Sequence, residues 1–100
     1  MVFEVYGKKI DVKKIRRLML TKGAAGTFNT KNNVIEVDSS LTGQELIHTY
    51  MHELIHALCA RLSLENCDLS HDLEEILADN IPTMLLENFD IKCKKKKRGE

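Results

Sequence analysis

The chain has 100 residues, 43% of them hydrophobic and 5% aromatic, and its 15 basic and 15 acidic side chains cancel to a formal net charge of zero. That length and apolar content suit one compact domain with a core just large enough to stand alone. Cys59, Cys67 and Cys93 are an odd number without a Cys-x-x-Cys pair, which excludes a disulfide framework and a zinc ribbon. No stretch approaches membrane-spanning length, and Met1-Val2-Phe3-Glu4 lacks the basic start and apolar run of a secretory signal. Free thiols in the cytoplasm are the expectation.

Residues 2–6 and 9–12, around Gly7-Lys8, read as a hairpin. Residues 12–20 carry Val12, Ile15, Leu18 and Met19 on one side and Lys13, Lys14, Arg16 and Arg17 on the other, which predicts a short amphipathic helix with Gly23 near its end. Residues 26–29 and 34–38 flank a polar turn, Thr30-Lys31-Asn32-Asn33, and read as two more strands.

Ile47, Met51, Leu54, Ile55, Leu58 and Leu62 then recur at helical spacing, as the core-facing side of a helix without Gly or Pro. On its shoulder stands His52-Glu53-Leu54-Ile55-His56. Residues four apart share a helix face, so His52 and His56 can direct ring nitrogens at a common ion. Glu53, about 100° round from His52, can reach a metal-bound water without filling a ligand position. His48 has the same spacing from His52, but Thr49 stands where the base would have to be, so it reads as a surface or substrate-side histidine. Cys59 reads as core.

A catalytic zinc usually takes three protein ligands and leaves one position for water, so a third ligand is expected downstream. From a cap at Asp68 or Ser70, residues 70–89 repeat Leu73, Ile76, Leu77, Ile81, Met84, Leu85 and Phe89 at three and four. Glu75 and Asp79 share a face away from Leu73, Leu77 and Met84. A solvated acidic face is the plain alternative, and Glu74 is the rival ligand. Pro82 predicts a kink just after Asp79, or two helices broken near Asn80.

The whole pattern, His-Glu-x-x-His, 18 residues, then Glu-x-x-Ala-Asp, resembles the gluzincin group of zinc metallopeptidases. The element order resembles both the minimal soluble gluzincins and short phage-encoded proteins related to the ImmA/IrrE metallopeptidases. The resemblance implies an α+β, zincin-like fold in which a small antiparallel sheet packs on a zinc-binding helix and a following glutamate helix. It further implies that His52, His56 and Glu75 hold one Zn2+, that Glu53 is general base and acid, and that Asp79 orients a histidine ligand. The implied activity is hydrolysis of a peptide bond, in a peptide or unfolded protein, by a zinc-activated water. In such enzymes the strand nearest the metal helix binds substrate along an exposed sheet edge, here residues 28–29 or 35–37.

Only 11 residues follow Phe89, fewer than the large C-terminal subdomain expected of bigger gluzincins, and Tyr6, Tyr50, His71 and His48 are the candidates for steadying the oxyanion. A latent enzyme, with the Cys93 thiolate folded over the zinc, is one expectation. A noncatalytic zinc-stabilised regulatory or binding module is the alternative function. Residues 1–91, the expected domain, carry 9 basic and 14 acidic side chains, a net of −5, while residues 92–100 carry +5. That tail reads as a solvated, flexible end, or as a weak nonspecific contact for nucleic acid or an anionic surface.

Overall fold

Two hairpins set the sheet, and the way they meet differs from the simplest sequence reading. The computed structural model describes residues 1–63 and 69–94. Cys67, the cap expected at Asp68 and most of the basic tail lie outside the described residues. Strands β1 (Val2–Val5) and β2 (Lys8–Ile15) pair antiparallel from Val2↔Asp11 to Val5↔Lys8. Tyr6 and Gly7 join them with φ of 49° and 79°, a turn whose twist matches that of the strands. Strands β3 (Gly26–Asn29) and β4 (Val34–Asp38) form the second hairpin, from Gly26↔Val37 to Asn29↔Val34. β2 and β4 run parallel, so the sheet order is β1-β2-β4-β3. The fold is α+β as expected, but the sheet is mixed rather than antiparallel.

That parallel pairing also overturns the helix expected over residues 12–20. β2 continues through Ile15 because Asp11 to Ile15 pair with Val34 to Asp38. A full ladder of interstrand bonds outweighs a weak helical preference in a segment holding β-branched Val12 and Ile15. Helix α1 is only Leu18–Lys22, starting after Arg17 at φ 60° and ending at Gly23 at φ 68°. Asp38 anchors its start: Oδ2 accepts from the Met19 N–H at 2.8 Å, and Oδ1 accepts from the Ser40 N–H and hydroxyl at 2.9 and 2.7 Å. The Met19 N–H and the two Ser40 bonds hold the Asp38 carboxyl below its ordinary value.

The pairing register puts Phe3, Ile10, Val12, Phe28, Ile35 and Val37 on one face of the sheet, with Gly26 at its end. Helix α2 (Gly43–Arg61) crosses that face, burying Thr49, Tyr50, Glu53, Ala57 and Cys59. The deepest line of α2 is therefore shifted from the expected apolar stripe. Ile47 and Leu54 still pack on the core, while Leu62 is exposed and Met51, Ile55 and Leu58 are half-buried. Gly26 lets the two layers approach: a Cβ there would stand 2.7 Å from Thr49 Cγ2 and 3.2 Å from Glu53 Cγ.

Helix α3 (His71–Asn88) lies against α2 and runs unbroken through Pro82, which is fully buried. Ser70 is its cap, with Oγ accepting from the Leu73 N–H at 3.1 Å. Ala78 and Pro82 form its buried line, whereas Leu73, Ile76, Leu77 and Met84 of the expected core stripe are exposed. The segment after α3 returns to β1. Cys93 packs on the core beside Tyr50, whose ring meets Phe3 edge to face, and Lys94 shares a crevice with residues 1–4. Cys93 is thus held beside Tyr50 rather than over the two histidines. No described helix is long and apolar enough to cross a membrane.

The close approach at Gly26 predicts that Gly26→Ala costs about 1–3 kcal/mol in urea unfolding, through overpacking. Thr49→Ser removes the obstructing methyl and keeps the hydroxyl that donates to the Glu45 carbonyl at 2.9 Å. The double variant should recover part of the loss, and strictly additive losses would refute the clash.

Candidate metal centre

The antiparallel packing of α2 and α3 produces a regular series of polar pairs. His48 Nε2 lies 3.1 Å from Thr83 Oγ1, His52 Nδ1 lies 3.0 Å from Asp79 Oδ1, and His56 Nε2 lies 2.8 Å from Glu75 Oε1. Each step moves four residues up one helix and four down the other. The next pair in the series is Ala60 opposite His71, and these two line an open cleft instead of bonding.

Within this series the ring nitrogens of His52 and His56 converge, with Nε2 atoms 3.2 Å apart. Glu75 joins them, its two oxygens 2.8 Å from His56 Nε2 and 3.8 Å from His52 Nε2. One ligand atom from each of the three side chains can be chosen so that all lie within 4.8 Å of one another. Tetrahedral zinc with bonds of about 2.0–2.1 Å separates its ligand atoms by about 3.3 Å, so the spacing fits.

The outer contacts decide what the convergence means. Asp79 faces His52 Nδ1, and Glu74 Oε2 faces His56 Nδ1 at 2.5 Å. A carboxylate facing Nδ1 favours the tautomer with its proton on that nitrogen, which in a neutral ring leaves Nε2 with a lone pair. In that tautomer two lone pairs and a carboxylate aim at one point with no donor among them. A cation is what such a donor set fits. His52 is inclined to the neutral, ligating form, because burial and the charge of His56 lower its pKa against the pull of Asp79 and Glu75.

Glu53 sits apart from this set, on the line of α2 that faces the sheet. Its side chain is 7% exposed and its Oε2 stands 3.9 Å from His52 Nε2. Burial pushes its carboxyl up to about 7, with Glu75 adding to the rise and His56 opposing it. It opens onto a cleft of about 460 Å³ shared with Phe28, Thr30, His56, His71 and Glu75.

All five residues singled out in the sequence therefore fall in one place. Glu74, the rival ligand, is adjacent but faces the opposite nitrogen of His56, and its side chain is 19% exposed against 42% for Glu75. Of the oxyanion candidates, His71 alone lines the cleft with Glu53. Tyr50 is buried against Phe3, Tyr6 is exposed beside the β1–β2 turn, and His48 is engaged with Thr83. Of the two edges proposed for substrate, residues 35–37 are ruled out, since β4 is paired on both sides. β3 is a true edge, and its Phe28 borders the cleft. Thr30, Ala60 and Leu69 were not marked as cleft residues by any motif, because no local spacing relates them to the histidines.

In metal-free protein the unfolded chain loses the Glu53 proton near 4.5 and the folded chain near 7. Stability should therefore fall as pH rises through that window, by up to about 3 kcal/mol, and stay low above it. Urea unfolding in chelator at pH 5 and pH 8 measures this difference, and Glu53→Gln should flatten it. An equal pH dependence in the variant would show that Glu53 titrates as an ordinary glutamate. Comparison of the chain with family models, curated proteins and solved structures returned no match.

Proposed function

We propose that this chain is a gluzincin-type zinc peptidase in which His52, His56 and Glu75 hold one zinc ion and Glu53 moves the proton. The observation that carries the reading is the convergence of two Nε2 atoms and a carboxylate, each imidazole backed by its own acid. When bound, the ion supplies a Lewis acid that brings the pKa of a water toward neutrality and polarises a substrate carbonyl.

The chain's own residues do the rest. Glu53, with its carboxyl near neutrality, takes a proton from the attacking water as oxygen bonds to the carbonyl carbon. It then delivers that proton to the amine nitrogen as the carbon–nitrogen bond breaks. His71, across the cleft from Ala60, donates a ring N–H to the developing oxyanion. The free edge of β3 holds an extended peptide by backbone hydrogen bonds, and Phe28 packs on it. Asp79 and Glu74 hold the tautomers of the two ligands.

The second reading is a noncatalytic zinc-stabilised module, favoured by the same ligands joining α2 to α3. Glu53→Gln separates the two. It should lower peptide cleavage at least about 100-fold while leaving about one zinc per chain by elemental analysis, and should alter little in a noncatalytic module. Glu75→Ala should lose the zinc, and Glu74→Ala or Asp79→Ala should weaken its binding by about 10- to 100-fold. Wild-type protein that takes up no zinc when the metal is added would sink both readings.

A further inference from the structure

A second cavity, of about 340 Å³, adjoins the cleft and shares Phe28, Thr30 and Ala60 with it. Its chemistry is the reverse of its neighbour's. The cleft is lined by three carboxylates, those of Glu53, Glu74 and Glu75. The polar side chains of the second cavity are Lys8, Thr30, Asn33, Arg61 and Ser63, every one able to donate a hydrogen bond, and no acidic residue among the described residues lines it. Among the described residues neither Lys8 nor Arg61 has an ion-pair partner. Two such cations with three neutral donors give this cavity a local positive charge on a domain whose net charge is −5.

We propose that this cavity is a substrate subsite for a carboxylate, and that the chain selects peptides bearing an acidic residue on one side of the bond to be cut. The identity of the ligand as a peptide rests on the peptidase reading above. The anion preference does not. Placement supports the pairing of the two cavities. β3 leads from Gly26, beside Glu53, to Thr30, which borders both. At about 3.3 Å per residue, a peptide laid along this strand enters the basic cavity roughly two to four residues from the scissile bond. Val5, Ile10 and Ala57 supply an apolar wall for the methylenes of a glutamate, while Lys8 and Arg61 take its charge. The polarity of the groove would also fix chain direction, because a carboxylate in the cleft itself would meet three others.

The test uses full-length, zinc-supplemented protein and fluorescent peptide pools capped at both ends, with one position fixed as Glu, Gln or Lys. Binding is read by anisotropy on Glu53→Gln, and cleavage on wild type. Glu pools at one or more positions should bind about tenfold more tightly than Gln pools. Lys8→Glu/Arg61→Glu should abolish that preference or turn it toward Lys, with zinc content unchanged. A free carboxy-terminus that substitutes for the fixed Glu, and loses its advantage in the same double variant, would support a terminal carboxylate as the occupant. Equal binding of Glu and Gln pools, or a Glu preference that survives the double reversal, would overturn the subsite. If no pool is cleaved but the Glu preference is seen and is lost on reversal, the peptidase reading fails and the anion site stands.

Discussion

Helix α2 has to serve two neighbours at once, and the arrangement of the whole site follows from how it divides its surface between them. Thr49, Glu53 and Ala57 face the sheet, while His48, His52 and His56 face α3. The two rows are one residue out of step, about 100° apart on the helix. A carboxyl and its neighbouring imidazoles can therefore come from adjacent positions and still approach the same cleft from different walls. The glycine at residue 26 makes the division workable, since a larger residue there would push the sheet away from Glu53.

Such a centre is stabilised from outside itself. A buried carboxyl and a cluster of acceptors are unfavourable contributors to folding while nothing positive lies between them. The compensation comes from the inner face of the sheet, where Ile10, Ile35 and Val37 are fully covered by α2 and its neighbours. The α2–α3 contact, by contrast, depends heavily on polar side chains, and much of the apolar surface of α3 stays in solvent. A bound cation would therefore contribute most where the apolar core contributes least.

Local pattern made much of this legible. The second hairpin and the helix bearing the histidines follow from alternation, helical spacing and turn chemistry alone, and the cap of α3 narrows to Asp68 or Ser70. Spacing within each helix put His52 with His56 and Glu75 with Asp79 on shared faces, and it was the resemblance to gluzincins that joined the two pairs. What spacing could not supply was the rotation of one helix against the other, and this decides whether Glu74 or Glu75 meets the Nε2 side of the imidazoles. The stretch from Val12 to Ile15 was opaque for a related reason. Its charged residues suggest an amphipathic helix, but its fate is set by β4, more than 20 residues away, through a parallel pairing with no local signature. Arg17 in the left-handed region hides the strand-to-helix break, since arginine rarely marks such a position.

The stepped pairs between α2 and α3 also act as a lock against sliding. If α3 moved one turn in one direction, His56 would face Asp79 and His52 would face Thr83, leaving Glu75 beside Ala60. One turn the other way would set His56 against His71 and His52 against Glu75. The first displacement would take the acid away from His52 and the second would take it away from His56, and either would move Ala78 and Pro82 from their buried sites. The two helices thus have a single alignment in which both imidazoles face an acid, and a slide of either helix by one turn is the change that breaks it.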